Sequence, residues 1–182
     1  MIFMGLKLKG QKINLRKLTK SDALSIYQNV KDKEISRFTN IPHPYTLKNA
    51  KSFIRRTHLG FRKKTAYELG VELESGQVVG GMSLLKVDHK NKNAEVGYWL
   101  GKKYWGQGIA SESLKLILDF GFKKLKLVRI YARVMHPNTA SAKLLEKAGF
   151  KYEGRMKQNF LKNGKWMDVL IYAILKEEYK KL

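Results

Sequence analysis

The chain has 182 residues, of which 43% are apolar and 11% aromatic, so it is long enough to bury the core of one domain and too apolar to be disordered. It has no cysteine, which excludes a disulfide framework, a thiolate zinc site and a cysteine nucleophile, and which fits a reducing compartment. It contains no run of 18 apolar residues, and Met1–Gly10 lacks the apolar core of a signal peptide. We therefore expect a cytoplasmic protein that does not enter a membrane. The histidines do not cluster with carboxylates, so we expect no metal site.

The net charge is the unusual feature of the composition. The 37 basic and 15 acidic residues give a formal net charge of +22. Such a charge attracts polyanions, for example nucleic acid, the ribosome or a phosphorylated cofactor. The basic residues are spread along the whole chain rather than gathered in a tail. Two interpretations stay open: a solvated surface that keeps the protein soluble, or a polyanionic partner.

The first half of the chain begins with a mixed pattern and then becomes a run of strands. Alternating apolar residues predict a strand over Lys12–Leu18, and capping side chains predict a helix over Ala23–Val30. A second helix is predicted after Pro44, with Thr46 as its N-cap. From Thr65 the apolar period becomes two, which predicts antiparallel strands over Tyr67–Leu73, Gln77–Val87 and Asn93–Leu100.

The second half of the chain alternates helices and strands. The pattern predicts a long amphipathic helix over Gly108–Lys124, a strand over Leu127–Met135 and a short helix over Thr139–Ala148. Asn163–Gly164 indicates a tight hairpin between two closing strands. The predicted order is therefore β-α-α-β-β-β-α-β-α-β-β, which is an α/β class with a mixed sheet. No repeat or linker divides the chain, so we predict a single domain over residues 1–182.

A glycine-rich loop follows the strand that ends at Leu100 and opens the long helix. Its sequence is Tyr104-Trp105-Gly106-Gln107-Gly108-Ile109-Ala110-Ser111. Glycine lets the backbone bend close to a ligand, and a helix N-terminus offers free amides and a partial positive charge to an anion. The amides from Gln107 to Ser111, with the Ser111 hydroxyl, are therefore candidates to hold a pyrophosphate. Close packing alone would also explain two glycines at this turn.

Two other phosphate-binding motifs fit this region less well. The segment Gly97–Lys102 has one residue too few between its glycines for a P-loop, and Lys103 stands where a P-loop needs Ser or Thr to hold magnesium. The spacing of Gly106, Gly108 and Ser111 resembles a dinucleotide-binding fingerprint. That fold needs repeated βαβ units around the motif, whereas antiparallel strands precede it here.

The short helix predicted after Pro137 is the second informative segment. Asn138 is a natural N-cap for it and Gly149 a natural C-terminal stop, and these roles alone would explain both residues. Together with the glycine loop, this helix completes a βαβ unit whose two strands would splay apart. The gap between the strands would admit an extended cofactor arm along a free strand edge.

These segments together resemble the GNAT acetyltransferases, and among them the Rim-type enzymes that acetylate the N-termini of ribosomal proteins. The matching segments are Gly97-Tyr98-Trp99, Tyr104 to Ala110, and Asn138…Ser141…Lys147-Ala148-Gly149-Phe150. The opening Asn14–Leu18 with Asp22-Ala23 is similar too, so the resemblance extends from Lys12 to Tyr172. It implies a GNAT fold, with a central splayed sheet flanked by helices, and acetyl-coenzyme A as co-substrate.

The resemblance also implies which groups bind coenzyme A. The amides that would hold its pyrophosphate belong to Gln107, Gly108, Ile109, Ala110 and Ser111. The backbone around Tyr98, Trp99 and Leu100 would pair with the pantetheine arm and polarise the thioester carbonyl, as an oxyanion hole does. The Asn138 side chain would bond the far part of the same arm.

Acetyl transfer also needs groups that move protons, because an ammonium must lose a proton and the leaving thiolate must be stabilised. The superfamily often uses a tyrosine for the thiolate, at the position that Leu145 occupies here. Ser141 lies one turn earlier on the same helical face and is our candidate donor, with a plain surface serine as the alternative. Glu95 is our candidate to deprotonate the amine through water and to attract the cationic substrate. A salt bridge to a neighbouring lysine, or a mechanism without a base, stays open.

The acceptor is predicted to be a primary amine. An α-amine, with a pKa of about 8, is partly neutral at working pH and needs less help than a lysine side chain with a pKa of about 10.4. This favours the N-terminus of a peptide or ribosomal protein. A small amine (an amino acid, an antibiotic or a polyamine) and a non-catalytic module that binds acyl-coenzyme A or RNA are the alternatives. Both a monomer and a homodimer stay open.

Overall fold

The computed structural model describes residues 5–179, and within them the chain forms one eight-stranded sheet with helices on both faces. The strands are β1 (Lys7–Lys9), β2 (Ile13–Arg16), β3 (Tyr67–Leu73), β4 (Val78–Asp88), β5 (Asn93–Leu100), β6 (Arg129–Met135), β7 (Lys151–Lys162) and β8 (Lys165–Leu175). The helices are α1 (Ala23–Val30), α2 (Lys33–Arg37), α3 (Leu47–Lys63), α4 (Ile109–Asp119), α5 (Thr139–Lys147) and α6 (Lys176–Tyr179). Residues 1–4 and 180–182 lie outside the described residues. The structure therefore covers only part of Met1–Gly10, for which we expected no signal peptide, and most of the predicted domain over residues 1–182.

The predicted α/β class and the order of the predicted elements are confirmed. The structure adds three short elements that the sequence analysis did not predict, namely β1, α2 and α6. Each is too short for an apolar period to show. The predicted helix Gly108–Lys124 is α4 continued by a π-helical turn over Phe120–Lys124. Asn163 and Gly164 have positive φ values of 47° and 75°, as the predicted tight hairpin requires.

The order of the strands in the sheet is β1-β2-β3-β4-β5-β6-β8-β7. Every neighbouring pair is antiparallel except β5 and β6, which run parallel. Their pairing covers only Asn93–Glu95 against Arg129–Tyr131, although β5 continues to Leu100 and β6 to Met135. Beyond Glu95 the two strands therefore splay apart and leave a gap in the middle of the sheet, as predicted.

Two apolar layers hold the helices against the sheet. On one face, Leu114, Ile117 and Leu118 form a stripe of α4 that is buried against the strands. On the other face, a separate cluster joins α1 and α3 to Val78 of β4. The gap between β5 and β6 thus has a helical layer above and below it. In the part of the chain that the structure describes, no helix is long and apolar enough to cross a membrane.

An ion cluster ties β2, β3 and the start of α1 together. The Arg16 guanidinium donates to both carboxylate oxygens of Asp22 at 2.8 and 2.9 Å and to Glu72 at 2.5 Å. Burial by itself raises the pKa of Asp22, but hydrogen bonds from Arg16 and Thr19 outweigh it and leave that pKa below its usual value. Burial also raises the pKa of Glu72, and hydrogen bonds from Lys7 and Arg16 likewise leave it lowered. A carboxylate with a lowered pKa in the fold stabilises the protein above its unfolded pKa, and this stabilisation is lost as the pH falls.

We therefore expect Asp22→Asn to lower the free energy of unfolding at pH 7 by about 2 kcal/mol, because Arg16 loses a charged, buried partner. Below about pH 4 the wild-type protein loses the same contribution by protonation, so the two proteins should converge in stability. Thermal unfolding followed by circular dichroism from pH 7 to pH 2.5 measures both effects. The control is Glu34→Gln, which removes an exposed ion pair to Arg37 and should cost less than about 0.5 kcal/mol. Equal losses from the two substitutions would contradict the prediction.

Candidate active site

The gap leaves part of the backbone of β5 free to pair. The Gly101 amide donates to the Val79 carbonyl of β4 at 2.9 Å. Backbone groups alternate in direction along an antiparallel pair, so the Trp99 amide turns toward β4, whereas the amides of Tyr98 and Leu100 turn toward the gap. The end of β5 is therefore a free strand edge, at the place that the sequence analysis predicted.

The side chains around this edge restrict which of its groups are available. The Trp105 indole donates to the Leu100 carbonyl at 2.7 Å, so this carbonyl already has a partner. The groups of the edge that still face the gap are the amides of Tyr98 and Leu100 and the carbonyl of Tyr98. The Trp99 side chain lies on the face of α1 and α3. Gly81 provides space for it, since a Cβ at Gly81 would lie 2.4 Å from the Trp99 ring nitrogen.

The glycine loop forms an open mouth at the start of α4. Gly106 and Gly108 have φ values of 74° and 79°, a region that favours glycine. A Cβ at either residue would meet nothing within 4 Å. The Glu112 amide donates to the Gly108 carbonyl at 3.0 Å, so the amides of residues 109–111 precede the first bonded turn and have no helical partner. The mouth therefore offers adjacent amide donors to an anion.

The charges around this mouth also suit an anion. Glu112 is the acidic residue of the first turn of α4, but its carboxylate accepts hydrogen bonds from the amides of Gln11 and Lys12. The Gln107 side chain folds over the loop and donates to the Lys103 carbonyl at 2.8 Å. The negative charge of the first turn is thus committed to the segment before β2 and not to the free amides of the helix start.

Helix α5 lies beside the gap and contacts the free edge of β5. Asn138 is its N-cap, with its side-chain oxygen accepting from the Ser141 amide at 3.1 Å. The Ser141 hydroxyl lies 2.7 Å from the Tyr98 hydroxyl. Burial raises the pKa of Tyr98 to about 12, although the Ser141 hydrogen bond lowers it in part. Tyr98 therefore stays protonated at neutral pH, and when it donates to Ser141 the Ser141 proton is free to point into the gap.

A cavity of about 550 Å³ meets the gap on the face of α1 and α3. Its walls come from α1, α3, the loop between α2 and α3, and strands β3 to β6. Its lining includes Asn138, Ser141, Tyr98 and Trp99 at the gap, and Phe38 and Tyr45 on the loop side. One space therefore connects Tyr98, Trp99, Asn138 and Ser141 with the loop that precedes α3, whereas Leu100 and residues 107–111 are not part of its lining.

Two carboxylates line this cavity. Glu95, which the sequence analysis selected, forms a 2.7 Å ion pair with Lys86, and its side chain is 15% exposed. The structure thus shows the lysine partner that was the alternative interpretation, and also places Glu95 at the cavity.

The second carboxylate, Glu68 of β3, was missed. Its side chain is 10% exposed and its cationic neighbour is Arg56, at 3.6 Å. Burial raises the pKa of Glu68, and Arg56 offsets part of this rise. The sequence offered one signal for Glu68, namely an acidic residue inside the predicted strand Tyr67–Leu73. The structure shows that this strand is buried along almost its whole length.

These features form one continuous track. A free strand edge suits the amide groups of an extended pantetheine arm, the amide mouth of α4 suits a pyrophosphate, and the thioester end of such a ligand would reach the cavity. Within residues 5–179, no group of three or more His, Asp or Glu side chains is placed to hold a metal ion. The fold and the site together define the class of acyl-coenzyme A-dependent acyltransferases.

Comparison with known sequences identifies the family within this class. The family of the acetyltransferase (GNAT) domain matches residues 12–151, which is more than half of the chain. The chain therefore belongs to the GNAT family and is an acetyl-coenzyme A-dependent N-acetyltransferase. The resemblance deduced from three sequence segments is confirmed.

The relatives of this chain carry names with different acceptors. It is 31% identical over 123 residues to the "Putative ribosomal N-acetyltransferase YdaF" of Bacillus subtilis, covering 66% of this chain and 67% of that protein. It is 24% identical over 167 residues to the spermidine N(1)-acetyltransferase of Escherichia coli, covering 92% and 88%. The solved structure of RimL, a ribosomal L7/L12 alpha-N-protein acetyltransferase, in complex with coenzyme A has a TM-score of 0.86 at 23% identity, covering 93% and 98%. The last comparison shows that the fold is shared.

Proposed function

We propose that this enzyme acetylates the N-terminal α-amine of a protein or peptide, with a ribosomal protein as the first candidate. The observation that carries the proposal is the cavity of about 550 Å³ that runs from the gap to the loop before α3. This volume lies in the range of pockets that bind drug-sized ligands, and its extension to the loop before α3 leaves space for an acceptor beyond the gap. An α-amine is also easier to deprotonate than a lysine side chain, by about two pH units.

We assign coenzyme A to the track described above. The amides from Gln107 through Gly108, Ile109 and Ala110 to Ser111 bind its pyrophosphate, supported by the open glycine turn. The backbone around Tyr98, Trp99 and Leu100 pairs with the pantetheine arm, and the free amides of Tyr98 and Leu100 polarise the thioester carbonyl. Asn138 bonds the same arm through its side-chain NH₂, because its oxygen is used as the helix cap.

Two side chains are assigned to proton movement. Ser141 donates a hydrogen bond to the leaving thiolate, supported by the Tyr98 hydroxyl at 2.7 Å. Serine is a weak acid, so this contact stabilises the thiolate and does not fully protonate it. Glu95 attracts the cationic acceptor and accepts a proton through water, although its pair with Lys86 neutralises part of its charge.

The charge of the whole chain supports an acceptor that is bound to a polyanion. With a net charge of +22, the protein attracts RNA and repels free polycations at long range. A ribosomal protein on RNA therefore fits the charge better than a polyamine does. The names of YdaF and RimL point to the same kind of acceptor.

A small cationic amine is the second candidate, and one local observation favours it. The cavity has two carboxylates, Glu68 and Glu95, so its local charge differs in sign from that of the molecular surface. The spermidine-acetylating relative agrees with this possibility. Local carboxylates act over a few ångströms, whereas the surface charge acts over about a Debye length of 10 Å.

Thiol release from acetyl-coenzyme A, measured across a panel of amines, separates the two candidates. We expect peptides that begin with Ser or Ala to give kcat/KM values about tenfold or more above those of free amino acids and spermidine. The control is the same peptides with a blocked N-terminus and an internal lysine, which should release no thiol. A preference for spermidine would establish the second candidate, and no thiol release with any amine would contradict the proposal.

A further inference from the structure

The buried carboxylate Glu68 lies in a row of residues that leads to the gap. Glu68 is opposite Ser83 of β4, and Ser83 is opposite Gly97 of β5. All three line the cavity. At a strand spacing of about 4.8 Å, the Cα atoms of Glu68 and Gly97 lie about 10 Å apart. Because Gly97 precedes Tyr98, the row ends beside the amide that we assign to the thioester carbonyl.

The floor between Glu68 and the gap is open. Ser83 has a small side chain, and Gly97 has none. A Cβ at Gly97 would meet a single neighbour, Leu85, at 3.3 Å, so there is space above this position. An amine that rests over Ser83 and Gly97 would lie between the Glu68 carboxylate and the thioester end of the cofactor track.

The charged and titratable groups that line the cavity come from β3, β5, β6, α3 and the loop before α3. Apart from Glu68 they are Tyr45, Arg56, Glu95, Tyr98 and Arg133. Lys86 pairs with Glu95 at 2.7 Å, and Arg133 donates to Asn159. The ion pair of Glu68 with Arg56 is longer, at 3.6 Å. Of the two carboxylates that line the cavity among the described residues, Glu68 therefore has the more distant cationic partner.

A structural role does not account for a carboxylate in this position. Arg56 is 68% exposed, and an ion pair with so exposed a partner contributes little to stability. Removal of a carboxylate from water is unfavourable unless its ion pair is close and well hydrogen-bonded. The burial of Glu68 at a cavity wall is better explained by a cation that arrives with the substrate.

We propose that Glu68 binds the ammonium group of the acceptor and accepts its proton. This role rests on the proposed transfer of acetyl to an amine. The proton moves from the ammonium nitrogen to a Glu68 carboxylate oxygen, and the freed lone pair forms the C–N bond to the acetyl carbon. The C–S bond then breaks with its electron pair on sulfur, and a second proton from the nitrogen passes to sulfur. The products are an amide, a thiol and a proton that leaves Glu68 for solvent. Glu95, held by Lys86, attracts the cation and accepts the proton from Glu68 through water on its way to solvent.

Substitution of Glu68 separates this role from a structural one. Glu68→Gln keeps the shape and should lower kcat/KM for the amine about 100-fold, with an unchanged Kd for acetyl-coenzyme A. The matched control is Glu72→Gln, on the same strand, which removes a carboxylate held by Lys7 and Arg16. It should lower Tm and leave kcat/KM unchanged.

The pH profile supplies a second readout that a structural role would not move. Glu68 must be ionised to accept a proton, so wild-type kcat/KM should fall as the pH drops through the raised pKa of Glu68. Arg56→Met removes the cation that lowers the pKa of Glu68 against the effect of burial. The fall in kcat/KM at low pH should therefore begin at a higher pH in this variant. In Glu68→Gln the fall at low pH should be replaced by a rise that follows deprotonation of the amine, with a midpoint at the pKa of the amine used, about pH 8 for an α-amine.

The outcomes test the role of Glu68 and the identity of the acceptor separately. All variants are compared on whichever amine the wild-type enzyme acetylates fastest. If that amine is spermidine, the α-amine proposal is wrong, and the Glu68 comparison still decides the role of this residue. Normal turnover by Glu68→Gln, a larger loss in Glu95→Gln, or an unshifted profile in Arg56→Met would overturn the assignment of Glu68.

Discussion

Gly108→Glu is expected to abolish binding of acetyl-coenzyme A. The new carboxylate would lie at the start of α4, beside the site that we assign to the pyrophosphate of coenzyme A. Two negative charges about 4 Å apart repel each other by about 4 kcal/mol at an effective dielectric constant of 20. This corresponds to a Kd about 1000-fold weaker. The φ of 79° at Gly108 adds about 1–2 kcal/mol of strain for any side chain. Calorimetric titration with acetyl-coenzyme A and the thermal shift caused by the ligand measure the loss.

The chain provides a matched control for this substitution. Gly164 has a φ of 75° and, like Gly108, no atom within 4 Å of an added Cβ, but it lies in the turn between β7 and β8. Gly164→Glu should therefore reproduce the strain and lower Tm, with acetyl-coenzyme A bound as in the wild-type protein. Retained affinity in Gly108→Glu, or an equal loss of affinity in the two variants, would contradict the assignment of the loop to the pyrophosphate.

Ser141→Ala is expected to lower kcat about 10- to 100-fold, because a hydrogen bond to a charged group contributes about 1.5–3 kcal/mol. The Kd for acetyl-coenzyme A should change little, since the thiolate charge develops only during the reaction. Tyr98→Phe removes the hydroxyl that supports Ser141 and should give a smaller loss. Because the two hydroxyls are in contact, the double variant should lose less than the sum of the single losses.

A second serine provides the contrast for this experiment. Ser111 lies in the first turn of α4, at the assigned pyrophosphate site. Ser111→Ala should weaken Kd and leave kcat at saturating acetyl-coenzyme A unchanged. Stopped-flow thiol release gives kcat, and calorimetry gives Kd for both variants. Parallel losses of kcat and affinity in Ser141→Ala would show that Ser141 acts in binding and not on the thiolate.

The elements that were predicted well are those in which local sequence is sufficient. The strands β3 and β5 have the predicted bounds, because an apolar residue recurs at every second position through both strands. Thr46 caps α3 as predicted, since its hydroxyl accepts from the Asn49 amide three residues later. The helix α2 was missed because its five residues are too few for a helical period, although Asp32 caps it.

In the candidate site too, the features set by local sequence were predicted, and a contact between distant residues was not. The glycine turn and the Asn138 cap act within one or two turns of backbone, so their residue types and spacing were informative. The Tyr98–Ser141 contact joins residues 43 positions apart, and no local pattern indicates it. The prediction from sequence concerned the Ser141 hydroxyl alone, whereas the fold pairs this hydroxyl with the partly buried Tyr98.

By itself, the sequence determined the class of fold and the family, and it indicated the segments that we assign to coenzyme A, because these depend on periodicity, caps and glycines that act over short distances. Only the tertiary structure decided which acidic residues share a cavity with Tyr98 and Ser141. Glu68 and Glu95 come together because β3, β4 and β5 are neighbours in the sheet. Strand alternation turns both toward the same face, and burial then gives Glu68 a proton affinity that its position in the sequence does not show.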